Sequence, residues 1–243
     1  THASTTISTT DIFDDNSGVA LYQLDGNAND TGGVSGKFGE AAIFNGSSSK
    51  IATSLNNSDI ESFSFWFYFE SGTTIGRALG SNVSSSGGDL SVEIATNGTI
   101  VCQLQNLQYA TSTGALGSTG WKHIYYDTNR DLYINGTLNS SGTDSTTSFP
   151  SSTALIGALR TNYGFINTKI DDLRFYSDVL TSTEVGYLYN NTTASIPTDN
   201  LVAYYKFDGD ARDEQQLYDG TATNVSYAYD GTATNVTYQE ATK

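Results

Sequence analysis

Apolar residues in this chain come in short runs, and that brevity restricts the fold more than any other feature. VALYQL, EAAIFNG, SFSFWFYF, LSVEIA, TIVCQLQ, HIYYD, LYINGTL, ALIGAL and IDDLRFY follow one another from Val19 to Tyr176. Breakers such as NGSSSK, SSSGGD, ATNGT and SSGTDSTTSFPSS divide them. Runs that alternate apolar with polar residues, separated by turn clusters every ~10 residues, predict an antiparallel β-sandwich. In SFSFWFYF all but the two serines are aromatic, so both faces of that strand are expected to be covered and the strand central. In LYINGTL the Asn135-Gly136 pair suits a two-residue hairpin turn, although a bulged turn would also serve. One helix is predicted, in LTSTEVGYLYNN. There Thr181 and Glu184 form a capping box, and Val185, Leu188 and Tyr189 share the face laid on the sandwich.

Charge narrows the choice of partner. Eleven Lys and Arg stand against 26 Asp and Glu, a net charge of −15, so a phosphate backbone is repelled and nucleic acid is not an expected partner. No apolar run approaches the ~18 residues of a membrane span, so no membrane insertion is expected. No signal peptide is recognised, and Met is absent even at position 1, which reads as a processed product or part of a longer chain. The single cysteine, Cys102, alternates within TIVCQLQ and is expected to be a small buried hydrophobe.

The chain also repeats itself. GVALYQLDGNANDT, from Gly18, and LVAYYKFDGDARDE, from Leu201, align at a shift of 183 residues, with Val, Ala, Tyr, Asp, Gly, Ala and Asp coinciding. A shift that long leaves room for a whole sandwich before the second copy, and too little chain for another after it. The expected organisation is a tail or lead-in over 1–16, a jelly-roll domain over 17–190, a linker over 191–200, and a C-terminal segment over 201–243. Near the end YDGTATNVSYA, from Tyr218, recurs as YDGTATNVTYQ, from Tyr229. The segment is either a truncated second module or a strand donor to an exposed sheet edge, of this module or of a neighbouring subunit.

The order of ALYQLDGNANDTGG, GKFGEAAIFNGSSSKI, SFSFWFYF, GWKHIYYD, LYINGTL and KIDDLRFYSDVLTSTEVGYLY resembles the laminin-G-like, concanavalin A-type lectin modules from Gly18 to Asn190. The opening wording is most similar to modules in bacteriophage tail or appendage proteins. The resemblance implies an all-β, antiparallel jelly-roll sandwich with one short helix near its end. It also implies that relatives carry an insert like YNGTATNVTY after the NDTGG turn, which the first copy here lacks.

Candidate chemistry is sparse. The fold is shared with laminarinase-type glycoside hydrolases, whose E-x-D-x-x-E strand pattern places two carboxylates ~5–5.5 Å apart. None of Glu40, Glu61, Glu70, Glu93, Glu184, Glu214 and Glu240 has Asp two positions later, so that mechanism is missing and no enzyme is expected. His2 and His123 are too few for a zinc cluster or triad, and His123 in WKHI is given a structural role. Calcium suits the oxygen-rich turn LDGNAND and the closing strand's Asp171-Asp172 pair. The resemblance implies a structural calcium where first and last strands meet, with Asp25, Asp30 and Asp172 as ligands. The same acids would also serve turn geometry alone. Sugar stacking is expected from loop aromatics, for which Tyr109, Tyr163 and Phe165 are the candidates, while Trp66 and Trp121 are expected in the core.

These readings converge on a non-enzymatic extracellular or virion structural protein. It would display a lectin-like surface to glycans or a host surface, as a homo-oligomer or larger assembly. The alternative is a filament or capsid-decoration subunit joined by strand exchange of its termini.

Overall fold

The computed structural model describes residues 36–82, 90–104, 107–142, 149–191 and 196–228, and these form two antiparallel sheets packed face to face. The first sheet runs β10 (Thr137–Ser140), β9 (Leu132–Ile134), β8 (Gly120–Asp127), β3 (Ser62–Phe69), β12 (Asn167–Tyr176), β1 (Ala41–Asn45) and β15 (Ser226–Ala228). An eighth strand, β13 (Leu201–Tyr205), also pairs with β12. The second sheet runs β14 (Thr221–Thr223), β2 (Lys50–Asn56), β11 (Thr153–Ile156), β4 (Gly76–Ser81), β5 (Leu90–Ile94), β6 (Ile100–Leu104) and β7 (Leu107–Thr111).

Alternation builds the core. In β3, which is central as expected, Phe63, Phe65, Phe67 and Phe69 point between the sheets and are at most 1% exposed. They join Phe44, Ile51, Val92, Ile100, Phe175 and Cys102, each aromatic or aliphatic side chain contributing about 1.5–3 kcal/mol on burial. Cys102 is fully buried, and burial pushes its thiol pKa up, so it packs as a hydrophobe. The intervening residues of β3, Ser64, Trp66 and Tyr68, face outward with Tyr125, His123 and Trp121 beside them on β8.

That outer face is roofed rather than open. Helix α1 (Ser182–Asn190) starts at the Thr181–Glu184 capping box and buries Val185 and Leu188 against Tyr125, Tyr133 and Tyr176. Trp66 is therefore buried, but outside the inter-sheet core, under Tyr189 of α1, which stacks on it at 5.6 Å. Trp121 departs from the core expectation. It is half-buried at the end of β8 and meets Tyr68 edge-on at 5.6 Å, because position 121 takes the outer phase of the alternation beyond the helix. The β9–β10 hairpin turns through Asn135 (φ 50°) and Gly136 (φ 74°), the two left-handed residues of a primed turn.

Residues 201–228 add to the same sandwich. β13 pairs with β12 at Leu173–Tyr176, β14 with the edge of β2, and β15 with β1. Between β14 and β15 the chain crosses from one sheet to the other at Asn224, whose side chain donates to Ser48 Oγ at 3.2 Å.

Candidate functional site

Strand β12 changes partners halfway along. Residues 167–170 pair with β1 and residues 173–176 with β13, and between them Asp172 adopts φ 53° while the register against β3 shifts. A bulge of this kind redirects side chains, and here it turns two consecutive acids to one side. Asp171 lies opposite Trp66 on the outer face, and the two aspartates, Phe38, Gly39, Tyr204, Lys206 and Asp208 line an open pocket of about 220 Å³.

Each wall has a fixed position. Phe38 N–H donates to Asp171 Oδ2 at 2.8 Å, and the Phe38 ring meets Trp66 edge-on at 5.8 Å. Glu40 N–H donates to Asp208 Oδ1 at 2.9 Å. Gly39 has φ 72°, and a Cβ there would stand 2.6 Å from that same Asp208 oxygen, so a larger residue would be strained and would have to displace Asp208. Tyr204 Oη donates to Asp172 Oδ1 at 2.7 Å, while Arg174 pairs with Asp172 Oδ2 and lies over the Tyr204 ring at 4.2 Å.

Two buried acceptors, one in the pocket lining and one beside it in the chain, have no partner. Asp171, 1% exposed, leaves Oδ1 unbonded, and Glu40 leaves Oε2 unbonded. Burial pushes the Asp171 carboxyl up to about 8 and, with Asp208 and Asp210 adding repulsion, the Glu40 carboxyl up to about 7. Burial raises Asp208 as well. Behind the pocket, Trp66 Nε1, His123 Nδ1 and Ser64 Oγ are also buried without partners, and burial lowers the His123 pKa to about 3. A site with aromatic walls and carboxyl groups able to accept or, when protonated, donate a hydrogen bond is suited to hydroxyl-bearing ligands.

Of the expected calcium ligands, Asp172 lies among the described residues. Both Asp172 oxygens are committed to Arg174 and Tyr204, and an adjoining guanidinium disfavours a second cation. Among the described residues, no group of three or more His, Cys, Asp or Glu side chains is placed to hold a metal ion. Asp25 and Asp30 lie outside the described residues. Their counterparts in the second copy, Asp208 and Asp213, serve the backbone. Asp213 accepts N–H bonds from Tyr204, Gln215, Leu217 and Tyr218 at 2.8–3.2 Å.

Of the expected sugar contacts, Tyr163 and Phe165 share the loop between β11 and β12, with Tyr163 59% exposed and Phe165 half-buried. Tyr109 lies in strand β7 rather than a loop, and its side chain is outside the described residues. As the edge of the second sheet, β7 needs no continuous apolar pattern, which is why NLQYATS reads as a loop. Three strands, β4 to β6, separate it from β11, so the sheet does not bring Tyr109 to the other two. Sequence reasoning missed Phe38, Tyr204, Lys206 and Asp208. The repeat held the signal, since Tyr204 to Asp208 stand where the first copy has Leu21 to Asp25.

Comparison with known proteins now decides the family. A laminin-G-type profile described as the concanavalin A-like lectin/glucanases superfamily matches residues 45–186, more than half of the chain. The chain belongs to this superfamily. Among solved structures, a putative carbohydrate binding protein from Bacteroides ovatus superposes with a TM-score of 0.56 at 17% identity. That match covers 78% of this chain and 59% of the Bacteroides chain, so this chain spans well under two thirds of that relative. Domain 4 of AbnA, a GH43 extracellular arabinanase from Geobacillus stearothermophilus, solved with arabinotriose, gives a TM-score of 0.50 at 22% identity over 68% of this chain and 84% of that one. A heptameric SAP-like pentraxin from Limulus polyphemus gives 0.56 at 11% identity over 78% and 94%. A search of curated proteins finds no match. At these identities the superfamily likeness establishes the jelly-roll sandwich alone.

Proposed function

We propose that this chain is a non-enzymatic, lectin-like module that binds glycans through the pocket over the β12 bulge. The observation that carries the reading is Asp171, a buried acid with one unpartnered oxygen, which helps line a pocket walled by Phe38 and Tyr204. Sugars are held by ring faces and by a few convergent hydrogen-bonding groups, and both elements are present here. The chain's net charge of −15 disfavours acidic sugars, so the ligands are neutral or amino sugars. The solved carbohydrate-binding structures of the same fold support this class of function. The missing E-x-D pattern argues against hydrolysis.

The exposed Tyr163 supports a second glycan contact, with Phe165 beside it and Tyr109 on a separate edge. The chain acts outside the cell or on a virion, as part of a homo-oligomer. The competing reading is a filament or capsid-decoration subunit that binds no sugar.

A glycan array printed with neutral, amino and sialylated sugars tests the proposal. Binding to neutral or amino sugars that falls at least tenfold in Tyr204→Ala and survives in Tyr163→Ala is expected. Loss only in Tyr163→Ala moves the site to the β11–β12 loop. An empty array favours the structural subunit.

A further inference from the structure

The groove along β12 has one occupant in the structure, and the sequence holds an earlier copy of that occupant. Leu201–Glu214 fills it, and the way it fills it can be compared position by position with Gly18–Thr31, the earlier copy of the same wording. Ala203 and Tyr205 are fully buried against the core, and Ala211 is 6% exposed; the first copy has Ala20, Tyr22 and Ala28. Val202 packs at the rim of the core, and Val19 matches it. Asp208 accepts the Glu40 N–H, Gly209 supplies φ 87° at the turn, and Asp213 gathers four backbone N–H groups; the first copy has Asp25, Gly26 and Asp30.

The differences between the copies fall elsewhere. Lys206, Asp210, Arg212 and Glu214 are half-buried or exposed, and they face Gln23, Asn27, Asn29 and Thr31 in the alignment. Phe207, 1% exposed, is matched by Leu24, which keeps an apolar side chain. The two copies therefore share most of the side chains that dock, with Leu201, Tyr204 and Phe207 replaced by Gly18, Leu21 and Leu24, and most of the remaining differences face solvent.

Reach favours the first copy too. Residues 36–40 already sit at the groove, with Phe38 bonded to Asp171 and Glu40 to Asp208. Thr31 is five residues from Gly36, a leash of up to about 17 Å.

We infer that the groove beside β12 is a binding site for the repeated strand-and-turn motif, and that Gly18–Thr31 is its second occupant, exchanging with Leu201–Glu214. The copy seen here has the better fit, because Tyr204 bonds Asp172 and receives Arg174 on its ring, whereas Leu21 does neither. The exchange does not rest on the glycan reading.

The full-length chain allows a direct test by placing a charge in either copy. Ala203→Asp ejects the second copy and Ala20→Asp disables the first. Thermal melting is expected to show a cooperative transition for each single variant, lowered by a few degrees in Ala203→Asp. The double variant is expected to fall far below the sum of the two. A double variant no worse than Ala203→Asp overturns the proposal, as does loss of the cooperative transition in Ala203→Asp alone. Cross-linking supplies a readout independent of stability. In Arg174→Cys/Leu21→Cys, mild oxidation followed by peptide mapping is expected to join positions 174 and 21 within one chain, more so with Ala203→Asp added. Absence of that cross-link, or its formation only between chains, contradicts exchange within the chain.

Discussion

At the residue scale the buried acids around the pocket govern how stability responds to pH. Asp171 and Glu40 titrate near 8 and 7 in the fold, against about 4 in the unfolded chain, and burial lifts Asp127 to about 6. Between those limits the native state holds protons that the unfolded state releases, so the stability present at low pH is lost as pH rises through 7 and 8. His123 has the opposite sign: its pKa near 3 makes stability fall as pH drops below about 6.5. The melting temperature is expected to be higher at pH 6.5 than at pH 8.5, and Asp171→Asn to flatten that slope. A flat or rising profile in the native chain contradicts it. Asp172 behaves differently because it is paired. Asp172→Ala leaves Arg174 buried and uncompensated, an expected loss of about 3–5 kcal/mol measurable by denaturant unfolding. Since the Asp172 oxygens are committed, chelating calcium is expected to leave the melting temperature unmoved, and a drop would point to Asp25 and Asp30. The doublet KIDDLRF shows the limit of sequence at this scale. Alternation places one of two adjacent acids on each face, and only the bulge, set by long-range pairing, puts both at one pocket.

At the element scale most of the fold was legible. Aromatic density placed β3 at the centre, Asn135-Gly136 placed the hairpin, and Thr181 with Glu184 placed the start of α1. These are local signals, each fixed by neighbours a few residues away. Thr181→Ala, which removes one half of the capping box, is expected to cost about 1 kcal/mol and to lower the melting temperature by roughly 2–4 °C. Edge strands were the harder case. β7 carries no strong pattern, and β13, β14 and β15 could be read as a module start or a donor. Their partners lie far away in the chain, and pairing partners leave no mark in local periodicity. The recurrence of GVALYQLDGNANDT as LVAYYKFDGDARDE marked the start of the added segment, without saying which strand it would pair with.

At the scale of the whole molecule a superfamily sandwich carries an acidic, aromatic-walled pocket built where its closing strand meets a repeated segment. The same architecture serves binding and catalysis elsewhere, so function here has to be read from the pocket. The most direct measurement is affinity electrophoresis of the full chain through gels containing neutral polysaccharides, with reducing ends assayed in the same samples. The account predicts retardation by at least one polysaccharide, relief of that retardation in Tyr204→Ala, and no new reducing ends. Unretarded migration in every gel, or the appearance of reducing ends, would contradict it.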